Sequence, residues 1–220
     1  IDKLNVNPSL LGFGCMRFPK KEDGTIDEVE AERMLDYAIE SGVTYIDTAY
    51  PYHDGESEPF IGRVLKKYKR EDFYLATKLP MFKIDSLEQA KEIFEEQMKR
   101  LDVDYVDFYL LHALNKDTWK KVIDLNIISY CEELKKQGRI KNFGFSFHDD
   151  YEVFEEIINY RDWDFCQIQL NYIDTDIQAG MKGYKLTEEK NVPLVIMEPI
   201  KGGALASLSD DIEKVFTDYN

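Results

Sequence analysis

Three successive apolar runs of the sequence each end in a polar residue, and these residues are Asp47, Lys78 and His112. Tyr52 follows Asp47 by five residues, in a turn that contains a proline. In a parallel β/α barrel the loops after the strands form the active face, so the four side chains are expected to meet in one pocket. A lysine beside a phenol favours the phenolate. The set therefore predicts a proton-transfer site in which Tyr52 is the acid.

Taken singly, each of these residues has an ordinary structural explanation. Asp47 could cap a local turn, Tyr52 is one of 14 tyrosines, and His112 is one of three histidines that could simply belong to the core. The position of Lys78 makes a purely local capping role for Asp47 less favoured. A lysine at the end of a buried strand would be costly to desolvate without a carboxylate beside it, and Asp47 is the obvious partner.

Short apolar runs alternate with helix-period segments along the chain, which predicts a parallel α/β architecture. Asp27 and Ser86 are the expected N-caps of two helices, and Gly42 and Gly138 the residues that end two. Strands are predicted near residues 10–14, 43–47, 73–78, 105–111, 140–145, 165–169 and 193–197, and helices near 27–41, 56–68, 86–100, 118–137, 149–160 and 176–190.

The seven predicted strands are one fewer than a closed barrel of this type has. After them come a short polar stretch and an acidic, helix-like tail at residues 210–220. We therefore expect the native polypeptide to continue past Asn220, and residues 1–220 expressed alone to be poorly soluble or oligomeric and to bind cofactor weakly. Unpaired strand edges and uncovered apolar surface are the reason.

Five groups of residues together carry a close resemblance to the aldo-keto reductase family, in the family's order and at its approximate spacings. The resemblance extends over nearly the whole chain. The matching stretches are residues 42–52 with Gly55-Glu56-Ser57-Glu58 and Ile61-Gly62, then Ala76-Thr77-Lys78, Asp107 to His112, Gly138 to Ser146, and Gln167 to Asn171.

The resemblance implies a (β/α)8 TIM barrel, in this chain a single domain over residues 1–220 that lacks its C-terminal part. It implies an oxidoreductase that reduces an aldehyde or ketone with hydride from a nicotinamide cofactor. In that reaction Tyr52 donates the proton, Lys78 and Asp47 adjust the acidity of Tyr52, and His112 orients the carbonyl. The substrate would be a small carbonyl compound, and the family favours NADP over NAD.

The sequence has no Gly-x-Gly-x-x-Gly motif after a strand, so a Rossmann dinucleotide site is not expected. The resemblance instead implies that Ser146 and Gln167 hold the carboxamide of the nicotinamide, with Asp47 close by. Two positions depart from the family pattern: Phe147 replaces an asparagine, and Met197 stands where an aromatic ring usually stacks on the nicotinamide.

The segment after the last predicted strand is Glu198-Pro199-Ile200-Lys201-Gly202-Gly203. It resembles a branch of the family whose members often carry a C-terminal ferredoxin-like extension with 4Fe-4S clusters. Such clusters would lie outside this chain. Glu198, Lys201 and Gly202 are predicted to contribute to cofactor binding, the latter two through one positive charge and backbone donors for the pyrophosphate. A glycine pair is equally common in an ordinary loop.

Composition narrows the classes of partner. The net charge of -15 argues against nucleic-acid and anionic membrane binding. Three widely spaced cysteines indicate a reduced, cytoplasmic compartment, and no apolar run reaches the roughly 18 residues of a membrane span. A metal site built from the three histidines is not expected, because no ligand pair has the short spacing of a zinc site. Oligomeric state is left open.

Two alternatives to a reductase remain at this point. Phe147 and Met197 could leave a bound nicotinamide poorly aligned, which would suit a redox-sensing module with little turnover. An unrelated, metal-dependent barrel enzyme is the other alternative. Aromatic side chains near the site predict a pocket for an apolar or ring-bearing carbonyl, although they could equally be core; they are Tyr50, Phe82, Phe147 and Tyr172.

Overall fold

The computed structural model describes residues 1–207 and Lys214. In the described residues seven strands form one sheet in which each strand pairs in parallel with the next along the chain. This confirms the predicted parallel α/β fold. The strands are β1 Gly12–Gly14, β2 Tyr45–Asp47, β3 Tyr74–Leu79, β4 Val106–Leu114, β5 Ile140–Phe147, β6 Phe165–Gln169 and β7 Leu194–Met197.

Seven α-helices connect these strands within the described range, and local sequence explains several of their ends. The side chain of Asp27 accepts from the backbone N–H of Glu30, and that of Ser86 from Gln89, as N-caps do. Gly42 and Gly138 follow two helices with positive φ, as predicted. The helices are α1 Glu28–Glu40, α2 Ser57–Leu65, α3 Leu87–Leu101, α4 Lys116–Asp124, α5 Ile127–Lys136, α6 Tyr151–Tyr160 and α7 Gly180–Glu189.

Three predicted boundaries were wrong. The single helix expected over residues 118–137 is divided into α4 and α5, because Asn126 adopts a left-handed conformation with φ 56°. Helix α7 begins at Gly180 rather than near residue 176, and β1 has only three residues. The acidic tail predicted at residues 210–220 falls, apart from Lys214, outside the described residues.

Curvature of the sheet divides the buried residues into two layers. Alternate residues of each strand face inward, where an inner cluster consists of Tyr45, Ala76, Phe108, Leu110 and Phe165. The opposite faces of the strands pack against the helices in a larger cluster. At Gly144 an added Cβ would lie 2.4 Å from the carbonyl oxygen of Phe165, so only glycine fits there. The same inward rows, continued toward the carboxyl ends of the strands, carry the candidate site.

Lys78 and His112 were predicted to be the last residues of their strands, but in the structure they are not. Strand β3 continues one residue past Lys78, to Leu79, and β4 continues past His112 to Leu114. The pairing of β4 with β5 shifts between Leu111 and Leu114, and Ala113 has a positive φ of 53°. This irregularity next to His112 is a β-bulge, a feature that re-aims side chains.

Candidate active site

A buried ion pair joins the ends of β2 and β3. The ammonium group of Lys78 is 2.5 Å from Asp47 Oδ1 and also donates to the backbone carbonyl of Thr48 at 2.9 Å. The Lys78 side chain is 1% exposed and that of Asp47 13%. Burial lowers the pKa of Lys78, but the negative charge of Asp47 and the contact with Tyr52 outweigh it, so the pKa is raised. Lys78 is therefore a fixed positive charge inside the barrel.

Tyr52 lies in the turn between β2 and α2, and its hydroxyl is 3.4 Å from the same ammonium group. The structure thus brings Asp47, Lys78 and Tyr52 together. Burial raises the pKa of Tyr52, the charge of Lys78 lowers it, and the net effect is a raised pKa. The predicted effect of Lys78, which favours the phenolate, is present, but desolvation is larger, so the phenol is less acidic overall than a free one.

His112 completes the group of four. Its ring meets that of Tyr52 edge to face at a centroid distance of 5.8 Å, and the side chain is 9% exposed. Burial, reinforced by the nearby charges of Lys78 and His148, lowers the pKa of His112 to about 3. Its Nδ1 atom is buried and has no hydrogen-bond partner among the described residues. The imidazole is thus neutral at physiological pH and can orient a ligand without changing charge.

A polar network behind Lys78 was not predicted from the sequence. The amide of Gln97 donates to the carbonyl oxygen of Lys78 at 3.0 Å and to the carboxylate of Glu58 at 2.9 Å. Thr77 donates to Glu58 at 2.6 Å, and the Tyr109 hydroxyl donates to Gln97 at 2.8 Å. Burial raises the pKa of Glu58. The network fixes the backbone of β3 at the residue whose side chain enters the site.

One signal in the sequence could have identified this network. Gln97 occupies the apolar face of α3, at helical spacing from Ala90, Phe94 and Leu101, which are all buried. A polar residue on such a face requires buried partners.

Ser146 and Gln167 occupy adjacent positions on β5 and β6 and are both almost fully buried. The Ser146 hydroxyl accepts the backbone N–H of Ala113 at 2.8 Å, which holds the bulge in β4. Gln167 Nε2 is 3.3 Å from Asp47 Oδ2. These two side chains are polar groups of an inward row beside the four residues above. Their types and positions fit a planar carboxamide, which needs both donors and an acceptor.

The segment at and after the end of β7 contains the four residues predicted there for cofactor binding, Met197, Glu198, Lys201 and Gly202. Met197 is half-buried at the end of β7, and Glu198 and Gly202 adopt positive φ angles of 56° and 66°. Lys201 is paired with Asp174, at 2.8 Å. Its positive charge is therefore already neutralised, and its contribution to a pyrophosphate site stays a prediction.

Of the four aromatic residues predicted to line a pocket, one lies beside the site. The Phe82 ring is 5.7 Å from that of His112 and is partly exposed. Tyr50 points away, with its hydroxyl on Glu96. Phe147 is fully buried and packs against a helix, so of the two locations left open for it, pocket wall or core, the structure shows the core. Tyr172 is exposed in the loop after β6.

The described part of the chain contains neither a metal-binding cluster nor a membrane-spanning helix. Within residues 1–207 and Lys214, no three His, Cys, Asp or Glu side chains are grouped so that they could hold a metal ion. In the same residues no helix has the length and apolar character needed to cross a bilayer.

Comparison with known proteins gives consistent matches. A sequence profile of the Aldo/keto reductase family matches residues 10–219. The uncharacterized oxidoreductase YqkF of Bacillus subtilis is 30% identical over 206 residues, a match that covers 90% of this chain and 62% of YqkF. The NADH-specific methylglyoxal reductase of Escherichia coli is 24% identical over 203 residues, covering 81% of this chain and 60% of that protein.

Among solved structures, the aldo-keto reductase AKR11C1 from Bacillus halodurans in its holo form superposes with a TM-score of 0.70 at 30% sequence identity. That match covers 87% of this chain and 62% of the other. The chain thus spans 60 to 62% of the length of these three proteins.

Proposed function

The chain belongs to the aldo/keto reductase family, and on that premise we propose that it reduces the carbonyl group of a small aldehyde or ketone with a nicotinamide cofactor. The observation that carries the proposal is the group formed by Asp47, Lys78, Tyr52 and His112. Their contacts unite a buried cation, a phenol and a neutral imidazole at one end of the barrel.

In the proposed reaction the carbonyl oxygen of the substrate lies between the Tyr52 hydroxyl and the His112 ring. Tyr52 keeps its proton at neutral pH because its pKa is raised. As negative charge develops on the substrate oxygen, the phenol donates its proton, and the nearby positive charge of Lys78 stabilises the phenolate left behind. Asp47 holds the ammonium group in place, and His112, neutral throughout, orients the oxygen.

A bound reduced nicotinamide supplies the hydride. Ser146 and Gln167 would hold its carboxamide, and Met197, at the half-buried end of β7, offers a polarisable surface for the ring. Glu198, Lys201 and Gly202 would lie along the rest of the cofactor. One relative is named as NADH-specific, whereas the family resemblance favours NADP. Both cofactors therefore belong in the assay.

The test is oxidation of NADPH or NADH that depends on an added carbonyl compound, measured over a panel of apolar and polar aldehydes and ketones. Tyr52→Phe removes the proton donor while it preserves the ring. We expect it to lower kcat by about 10² to 10⁴ fold, the usual contribution of a positioned acid, with little change in melting temperature. Full turnover in Tyr52→Phe would refute the assignment of the acid.

The redox-sensing alternative is separated by a second measurement. Phe147 is packed in the core and offers no amide to the cofactor, which is the observation that favours a poorly aligned nicotinamide. Cofactor affinity from fluorescence titration is compared with the single-turnover rate of hydride transfer. Tight binding with negligible transfer across the panel would favour the sensing module, and rapid transfer would remove it.

A further inference from the structure

The turn that carries Tyr52 is held on both sides of that residue. On one side the Tyr50 hydroxyl donates to Glu96 at 2.8 Å, and the guanidinium of Arg100 lies 4.2 Å from the centre of the Tyr50 ring. On the other side the contact is made by His53, the residue that directly follows Tyr52. Two anchors therefore hold the turn around the phenol: the contacts of Tyr50 with Glu96 and Arg100, and the contact of His53. Of these two, the His53 contact is made by an imidazole.

The second anchor is a single hydrogen bond to the loop after β1. The backbone N–H of Phe18 donates to His53 Nε2 at 3.1 Å. A ring nitrogen accepts a hydrogen bond only when it carries no proton, so the imidazole is neutral and protonated at Nδ1. The Phe18 ring packs against the imidazole at 5.5 Å and against Phe60 of α2 at 5.1 Å. These contacts fix the imidazole between two segments of the barrel mouth.

The backbone of this turn needs such support. His53 and Asp54 have φ angles of 51° and 56°, in the left-handed region that non-glycine residues seldom adopt. Strained conformations of this kind persist only where the surrounding contacts impose them. If the bond to Phe18 is lost, the turn is free to relax, and the Tyr52 hydroxyl moves relative to Lys78.

We infer that His53 is a positioning residue for carbonyl reduction, which holds the Tyr52 turn in its active geometry only while its imidazole is neutral. The inference rests on the proposed function, because it assumes that Tyr52 is the acid. It adds a pH-sensitive element outside the group of four. We call the hydrogen bond from the Phe18 N–H to His53 Nε2 the clamp. Protonation of Nε2 would place a second donor against the Phe18 N–H, and the clamp would open.

Burial of the His53 ring, together with its charged neighbours, places this transition on the acid side of neutrality. Burial lowers its pKa, the positive charge of Lys20 lowers it further, and the carboxylate of Asp54 raises it, with a net lowering. The clamp is therefore closed at neutral pH and opens as pH falls below the ordinary histidine value of about 6.5. His112, with a pKa of about 3, does not titrate in that range. The pKa of His148 is also lowered, so this residue needs its own control.

The experiment compares the pH dependence of kcat and KM, from about pH 5 to pH 8, in wild type and three variants. His53→Gln keeps an acceptor near the position of Nε2 but cannot titrate. We expect it to retain activity at neutral pH and to lose the acid-side decline of kcat seen in wild type. His53→Leu has no acceptor and is expected to lower kcat about tenfold or more at every pH, with a smaller change in KM. His148→Gln should leave the acid-side decline in place.

A fourth variant, Phe60→Leu, tests whether a general loss of packing around the Tyr52 turn has the same effect as loss of the His53 hydrogen bond. Phe60→Leu weakens the aromatic contacts around Phe18 without touching the bond to His53, so it should lower the melting temperature and leave the shape of the pH profile unchanged. An acid-side decline that persists in His53→Gln, or a wild type with no decline, would overturn the inference. So would a profile in which Phe60→Leu and His53→Leu behave alike.

A measurement independent of turnover keeps this result distinct from failure of the proposed function. Long-range proton–nitrogen NMR correlations of the histidine rings in the wild-type protein report which nitrogen of His53 carries the proton. We expect Nδ1 to be protonated at neutral pH, and the Phe18 amide to exchange faster with solvent as His53 titrates. A proton on Nε2 at neutral pH would exclude the clamp even in a protein that reduces carbonyls. The expected tautomer without carbonyl turnover would contradict the proposed function alone.

Discussion

The buried pair of Asp47 and Lys78 predicts a large and partner-dependent loss of stability. In Asp47→Asn the ammonium group keeps the Thr48 carbonyl at 2.9 Å and the Tyr52 hydroxyl at 3.4 Å but loses the carboxylate at 2.5 Å, its one negative partner among the described residues. With Lys78 only 1% exposed, water cannot replace that partner. Removal of one member of a buried pair costs about 3 to 5 kcal/mol. For a domain of this size that is a fall of about 10 °C in melting temperature.

The assay is urea unfolding of Asp47→Asn, Lys78→Met and the double variant, followed by tryptophan fluorescence. Lys78→Met removes the charge that Asp47→Asn leaves unpaired. The double variant should therefore recover much of the stability that is lost in Asp47→Asn alone. Activity should not recover. Asp124→Asn, which breaks the exposed pair with Lys120, is the matched surface control and should cost at most about 0.5 kcal/mol.

Two outcomes would refute this reasoning. A loss in Asp47→Asn no larger than that in the surface control would mean that water reaches the pair. Strictly additive losses in the double variant would mean that the two charges do not interact in the folded protein.

Two further predictions concern the residues around the site. Gln97→Leu removes the hydrogen bonds of Gln97 with the Lys78 carbonyl, the Glu58 carboxylate and the Tyr109 hydroxyl, while Glu58 keeps Thr77 as a donor. The free energy of unfolding should therefore fall by about 2 to 3 kcal/mol, and a loss below about 1 kcal/mol in urea unfolding would contradict the network. The pKa of His112 is lowered to about 3 in the folded protein, below the unfolded value of about 6.5, so its contribution to stability is present above pH 6.5 and is lost as pH falls. Relative to His112→Gln, wild type should lose about 2 kcal/mol between pH 6.5 and pH 5, and parallel pH profiles of the two proteins would refute this.

The sequence was sufficient to predict the parts of the fold that depend on periodicity and on strand ends. All seven strands were placed close to their positions, and the grouping of Asp47, Lys78, Tyr52 and His112 followed from the rule that strand ends converge in a parallel barrel. Their chemical roles stay predictions.

The misses have a common physical origin in tertiary contacts. Nothing in the local pattern indicated that Asn126 would take a left-handed conformation and divide a helix. The bulge at Ala113 depends on the Ser146 hydroxyl from the next strand. The acidity of Tyr52 depended on how deeply the phenol is buried, which strand-end reasoning cannot measure. For Phe147 the sequence left pocket wall and core open, and strand alternation directs its side chain to the helix layer.

The contact between Asp47 and Gln167 has a consequence for the order of folding. Neighbouring strands of this sheet are close in sequence, but these two side chains are 120 residues apart and meet at 3.3 Å across the barrel interior. Contacts between residues so far apart form late, because the entropy of closing a long loop must be overcome first. We therefore expect the pairing of successive β/α units to precede the formation of the pocket. Catalytic competence would be acquired in the final step of folding, when the curved sheet brings β2 and β6 face to face.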